Sequence, residues 1–287
     1  MMRALLTGSR PSAKLNFSML PRLLLIPIVF GGFALATAAV AQTPPASVDI
    51  TKFPATAVDD VVVPVPSEVF NVLDKLGTPN WRAEMSPDLG KNTGGRAQVA
   101  LLLGTIIADG FIAVEAEDSE RVTQIGQQVL TLADAINVRK AVIARSKSIT
   151  DKAQAKDWRA VRTEFDGAQQ DVRGAMQQLG DDDLAQLVSI GGWVRGTEAL
   201  TSIVGKNYSA QGAELLNQPE LLAYFSHRLD EMRNSRLKKD ELVNRIRKLL
   251  HDLKPLIGKN APIPLETVQK INKMTHDTVV AISSGDQ

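Results

Sequence analysis

Apolar residues along this chain recur every three or four positions over long stretches, and strictly alternating patterns are scarce. Val122, Ile125, Val129, Leu132 and Ile136 fall on one helical stripe; Val161, Phe165, Val172, Met176 and Leu179 fall on another. A period near 3.6 lines one face of a helix with apolar side chains, which is the signature of an amphipathic helix packed on a core. No proline occurs between Pro87 and Pro219, so nothing there forces a break. The pattern predicts an all-α chain: an antiparallel helical bundle of six to eight helices with a Pro-rich N-terminal linker.

Capping signals bound the expected helices. A short one covers 67–76, with Ser67 as N-cap and Gly77 just beyond its end. A second spans about 96–116. A third starts after Asp118-Ser119 and runs to about residue 146. A fourth covers about 156–179 and stops at Gly180. Asp181 to Asp183 then place negative charge at the start of a fifth, which runs to about residue 204. Pro219 suits the first turn of a sixth, and Pro264 that of the last, which ends near residue 283. Between Leu222 and Leu253 the seam is apolar except at its centre, where Arg236 and Lys239 interrupt it. Either one long helix exposes its middle turns to water, or two helices meet near Asn234-Ser235.

Two helices read as central. Residues 99–114 (VALLLGTIIADGFIAV) are apolar on every face, and Asp109 carries their only charge. A helix without a polar face is buried on all sides or sits in lipid, and two glycines with a central aspartate argue for the core of a bundle. Residues 184–204 carry Gly191, Gly192 and Gly196. Each interior glycine costs a helix up to ~1 kcal/mol relative to alanine, so three of them need a reason. Close approach of a neighbouring helix is one; an opening for a ligand is another. Arg195 and Glu198 lie in the same stretch and share a face. Buried charges require partners, so the two central helices are expected to pack together with Arg195 paired to Asp109 or Glu198. Asp109, Arg195 and Glu198 are the candidate binding residues, either as a polar lock on helix register or as the floor of a pocket with Arg195 as anion binder.

Residues 1–41 read as a secretory signal. Arg3, Arg10, Lys14 and Arg22 form a basic region without acids, residues 23–36 are apolar, and Ala39-Val40-Ala41 offers the small residues of a cleavage site. Cleavage before Gln42 lowers Lys+Arg from 33 to 29 against 32 Asp+Glu, so the net charge moves from +1 to −3. The expected product is periplasmic or secreted and has no transmembrane span. An uncleaved anchor and a start at Met19 are the alternatives. Residues 42–66 hold five prolines and read as a linker in which Val61-Val62-Val63 could form an edge strand without an evident partner. Residues 67–287 form the bundle domain.

The chain has no cysteine, which excludes disulfides, thiol nucleophiles and cysteine metal sites. Its three histidines, His227, His251 and His276, are too far apart to ligate a metal on one turn. No nucleophile elbow or phosphate loop is present, so no catalytic residue, metal or cofactor is expected. Residues 228–259 carry ten Lys/Arg against five Asp/Glu. Such a run is a solvated face or a contact for anionic lipid or an acidic envelope protein; outside the cytoplasm, nucleic acid is a poor candidate. The sequence points to an exported, non-catalytic protein of the cell envelope that binds a small ligand or a partner protein. An acid/base enzyme using Asp109 and Glu198, or a purely structural envelope component, are the alternatives.

Overall fold

The computed structural model describes residues 79–91, 94–258 and 262–285, together with the backbone of two strands. The signal segment, most of the linker and the expected helix over 67–76 lie outside the described residues. The strands, β1 (Ala55–Val58) and β2 (Val61–Pro64), pair antiparallel with Val58 opposite Val61 and Ala55 opposite Pro64. Val61-Val62-Val63 therefore has a partner three to seven residues upstream, which the proline density of the stretch hid.

A single turn, α1 (Trp81–Glu84), precedes five long helices: α2 (Arg96–Glu115), α3 (Ser119–Ala135), α4 (Arg139–Gln154), α5 (Trp158–Gln178) and α6 (Asp182–Lys206). Then come α7 (Ala210–Glu214), α8 (Pro219–Asp230), α9 (Ser235–Lys238), α10 (Glu241–Leu253) and α11 (Leu265–Ser284). Among the described residues, eight helices have three turns or more, and α1, α7 and α9 are short pieces between them.

The first four joints between long helices use one device. Each connection is three residues long, and its middle residue is left-handed: Glu117 (φ 51°), Asn137 (φ 66°), Lys156 (φ 58°) and Gly180 (φ 71°). At the first joint Glu117 N–H donates to Val114 O and Asp118 N–H to Ala113 O, both at 3.0 Å. The other three repeat this pair of bonds one for one. This is the Schellman motif, which satisfies the last carbonyls of a helix. The residue that closes each motif also starts the next helix. Asp118 and Asp157 accept from Arg121 N and Ala160 N at 3.0 and 3.1 Å. Reversal in three residues makes consecutive helices antiparallel neighbours.

Three sequence expectations need correction here. The third helix does not continue to residue 146, because the chain reverses at Asn137 with Ile136 and Val138 both buried beside it. Asparagine tolerates the left-handed region better than most residues, so the turn needs neither glycine nor proline. Leu179 does not join the buried stripe of α5; it sits at the C-cap, 55% exposed. Between residues 219 and 255 the chain is broken into α8, the single turn α9 and α10, and so does not form one long helix. The side chains of Asn234 and Asp240 cap α9 and α10, and Arg236 and Lys239 face water where the seam fails. Pro264 is the cap residue of α11 and does not enter its first turn.

The helices follow two four-helix circuits. α2, α3, α4 and α5 pack in succession and α5 closes back on α2; α6, α8, α10 and α11 do the same, with α11 closing on α6. The circuits meet most extensively along α2 and α6. α2 is long and apolar enough to cross a membrane, but that stretch is wholly buried inside the bundle. Its Leu101, Leu102, Leu103, Ile106, Phe111 and Ile112 are all within 1% of full burial. Each such side chain contributes about 1.5–3 kcal/mol relative to exposure.

Candidate functional site

The crossing of α2 and α6 is set by backbone contact. A Cβ on Gly104 would lie 1.9 Å from Val188 O, and one on Gly191 2.1 Å from Leu101 O. At Gly192 the nearest atom would be Gly104 O, at 3.3 Å; at Gly196 nothing lies within 4 Å. The two helices thus touch through glycines, with carbonyls where side chains would be. This contact brings the next turn of each helix, with Asp109 and Arg195, into reach.

Arg195 Nε donates to Asp109 Oδ1 at 2.9 Å, and Nη2 lies 2.8 Å from the same oxygen. Nη1 donates to Glu198 Oε2 at 3.1 Å, and Nη2 also donates to Glu84 O on α1. The side chains of Arg195 and Asp109 are 4% and 2% exposed, that of Glu198 13%. Burial opposes the charge on Arg195, yet Asp109 first, then Glu198, with Glu84 behind them, outweigh it and raise the guanidinium pKa above its ordinary value. The arginine is a permanent buried cation between two carboxylates.

The cluster extends to both sides. The Glu84 carboxylate is buried and accepts from Lys206 Nζ. Glu198 Oε1 lies 2.7 Å from His276 Nδ1 on α11, and His276 is exposed. Asn272 Nδ2, also on α11, donates to Glu198 O at 2.9 Å and Thr201 Oγ1 at 3.1 Å. One buried ion cluster therefore ties α1, α2, α6 and α11 together. Asp109 Oδ2 is buried without a hydrogen-bond partner. Among the described residues no group of three or more His, Asp or Glu is arranged to hold a metal ion.

The structure brings together all three candidate residues read from the sequence. Sequence reasoning missed Glu84, Lys206, Asn272 and His276. Glu84 sits on a four-residue helix 111 positions before Arg195 and acts through its backbone carbonyl, which no side-chain pattern signals. His276 was weighed only as a metal ligand; its i−4 and i+4 neighbours, Asn272 and Val280, give no hint of Glu198.

A second candidate region is the exposed α8–α10 segment. Arg233, Arg236, Lys239, Arg245 and Lys254 are all exposed, and none pairs with an acid among the described residues. Most acids nearby are engaged: Asp240 caps α10, Glu231 pairs with His227, Asp252 with Lys248 and Asp230 with Arg247, while Glu241 is exposed in the first turn of α10. No protein-family model, curated protein or solved structure matches the chain.

Proposed function

We propose that this is an exported, non-catalytic binding protein of the cell envelope that contacts an anionic partner surface through residues 228–259. The observation that carries this reading is the set of five exposed cations, Arg233, Arg236, Lys239, Arg245 and Lys254, left without acidic partners. Uncompensated charge of one sign attracts a surface of the other and speeds encounter with it. The buried cluster suits a supporting role. Asp109, Arg195 and Glu198 spend their hydrogen bonds on one another and on α1, holding the bundle that presents the cationic end. An acid/base enzyme would need Asp109 and Glu198 free to exchange protons with a substrate, whereas Arg195 engages both.

Native mass spectrometry of the protein isolated from its own envelope tests the reading. It predicts a chain beginning at Gln42 that retains an anionic lipid or an acidic protein at low salt and sheds it at high salt. A chain found only in the cytoplasm, or one that carries nothing at low salt, would contradict it.

A further inference from the structure

Beside the cationic segment, α10 and α11 diverge around an open groove of ≈ 620 Å³, lined by His251, Asp252, Lys254, Pro255, Lys270 and Met274. We propose that this groove binds a monomeric anionic amphiphile, a molecule with one carboxylate or phosphate headgroup and a short apolar chain. The inference deepens the reading above by naming a ligand class, and it rests on that reading for the presence of anionic lipid nearby.

The lining separates into a charged rim and an apolar floor. Lys254 and Lys270 are exposed, and neither forms a salt bridge among the described residues. They come from different helices and face the same space. The one carboxylate in the lining, Asp252, is taken up by Lys248. That hydrogen bond foremost, against some desolvation and with His251 and Lys270 assisting, holds the Asp252 carboxyl below its ordinary range. A cation in the last turn of α10 is explained by the helix dipole, which favours positive charge at that end and accounts for His251 and Lys254. Lys270 stands in the second turn of α11, four residues after the exposed Glu266. Two exposed lysines from separate elements of the lining match a single anionic headgroup.

The apolar part of the lining is Met274 and the exposed Pro255. Met274 is partly buried and packs against the bundle core, as does Leu256 next to Pro255. A thioether side chain adapts its shape to an inserted apolar chain more readily than a branched one. A headgroup held by lysines at the rim would direct its chain along this floor.

The test uses methyl-labelled methionine in the purified protein, titrated with decanoate below its micellar concentration, and with decanol and inorganic phosphate as controls. The proposal predicts saturable decanoate binding that shifts the Met274 methyl resonance, with decanol and phosphate each weaker. The variant Lys254→Gln/Lys270→Gln should fold normally by circular dichroism and bind decanoate about tenfold more weakly, the loss of two partly exposed charge contacts. Equal binding of decanol, or unchanged affinity in the double variant, overturns it. Anionic vesicles separate the two readings. If they bind the wild type at low salt and release it at high salt while decanoate does not bind it, the groove proposal fails and the surface reading stands. If decanoate binds as predicted and no vesicle binding occurs at low salt, the surface reading fails and the groove remains.

Discussion

Replacing Arg195 by methionine removes the only cation paired with Asp109 among the described residues. The Asp109 side chain is 2% exposed and its Oδ2 already lacks a partner, so the variant must either leave an uncompensated buried carboxylate or take up a proton. Removing one member of such a pair costs about 3–5 kcal/mol. The Glu84 carbonyl and one oxygen of Glu198 lose their donor as well, each worth about 1–3 kcal/mol if no water replaces it. A loss of about 4 kcal/mol corresponds to roughly 10 °C in Tm for a domain of this size. Asp109→Asn should cost less, because the amide still accepts from Arg195. Asp109→Leu combined with Arg195→Met removes both charges, and the double variant should be more stable than the sum of the two singles by about 1–3 kcal/mol. Urea unfolding followed by helical circular dichroism measures all four corners of the cycle. Single variants within ~0.5 kcal/mol of wild type, the range of ordinary surface changes, would refute the buried-pair reasoning.

Gly104→Ala and Gly191→Ala should each destabilise by about 3 kcal/mol or more, because the new methyl meets a backbone carbonyl of the facing helix; Gly196→Ala, with open space around it, should stabilise α6 by up to ~1 kcal/mol. Thermal melts of the three variants decide this, and equal effects would contradict the glycine contact. Glu117→Gly and Lys156→Gly should each stabilise by about 0.5–1 kcal/mol, since a left-handed position favours glycine; a loss in chemical denaturation would show that their side chains matter more than their backbone. The Glu164 carboxyl is held below the ordinary carboxylate range, foremost by its hydrogen bond from Lys152, against some desolvation, with Ser148 and Arg145 assisting. A depressed pKa stabilises above the unfolded value, ordinarily 4.5, and that stability disappears as pH falls through the folded value. Glu164→Gln should therefore lower stability by about 1 kcal/mol at pH 7 and converge with wild type in acid, as urea titrations at both pH values will show.

The central part of the fold was legible because its chemistry is local and one-sided. An all-apolar run can only be buried, so α2 is marked as the core helix by composition alone. A charge inside such a run must find an opposite charge, which singled out Arg195. Turns were less legible. Glycine announces the reversal at Gly180, but Glu117, Asn137 and Lys156 adopt the same left-handed geometry without it. At Asn137 the turn is accompanied by burial of its flanking Ile136 and Val138, which is settled only when the helices pack. The outer ring of the ion cluster was not legible at all. Glu84 enters through a carbonyl oxygen and His276 through a helix 78 positions away, and neither leaves a periodic signal. The break at Arg236 and Lys239 was visible, while the choice between one helix and two depended on Asn234 and Asp240 capping the shorter pieces.

Co-sedimentation with anionic vesicles tests the central claim most directly. The wild-type protein and a variant with Arg233, Arg236, Lys239, Arg245 and Lys254 all changed to glutamine are compared at about 0.01 and 0.5 M salt, which moves the screening length from roughly 30 Å to a few ångströms. The account predicts that wild type pellets at low salt, is released at high salt, and that the variant stays in solution under both conditions while keeping its helical content. Wild type that remains in the supernatant at low salt, or a variant that pellets equally well, would contradict it.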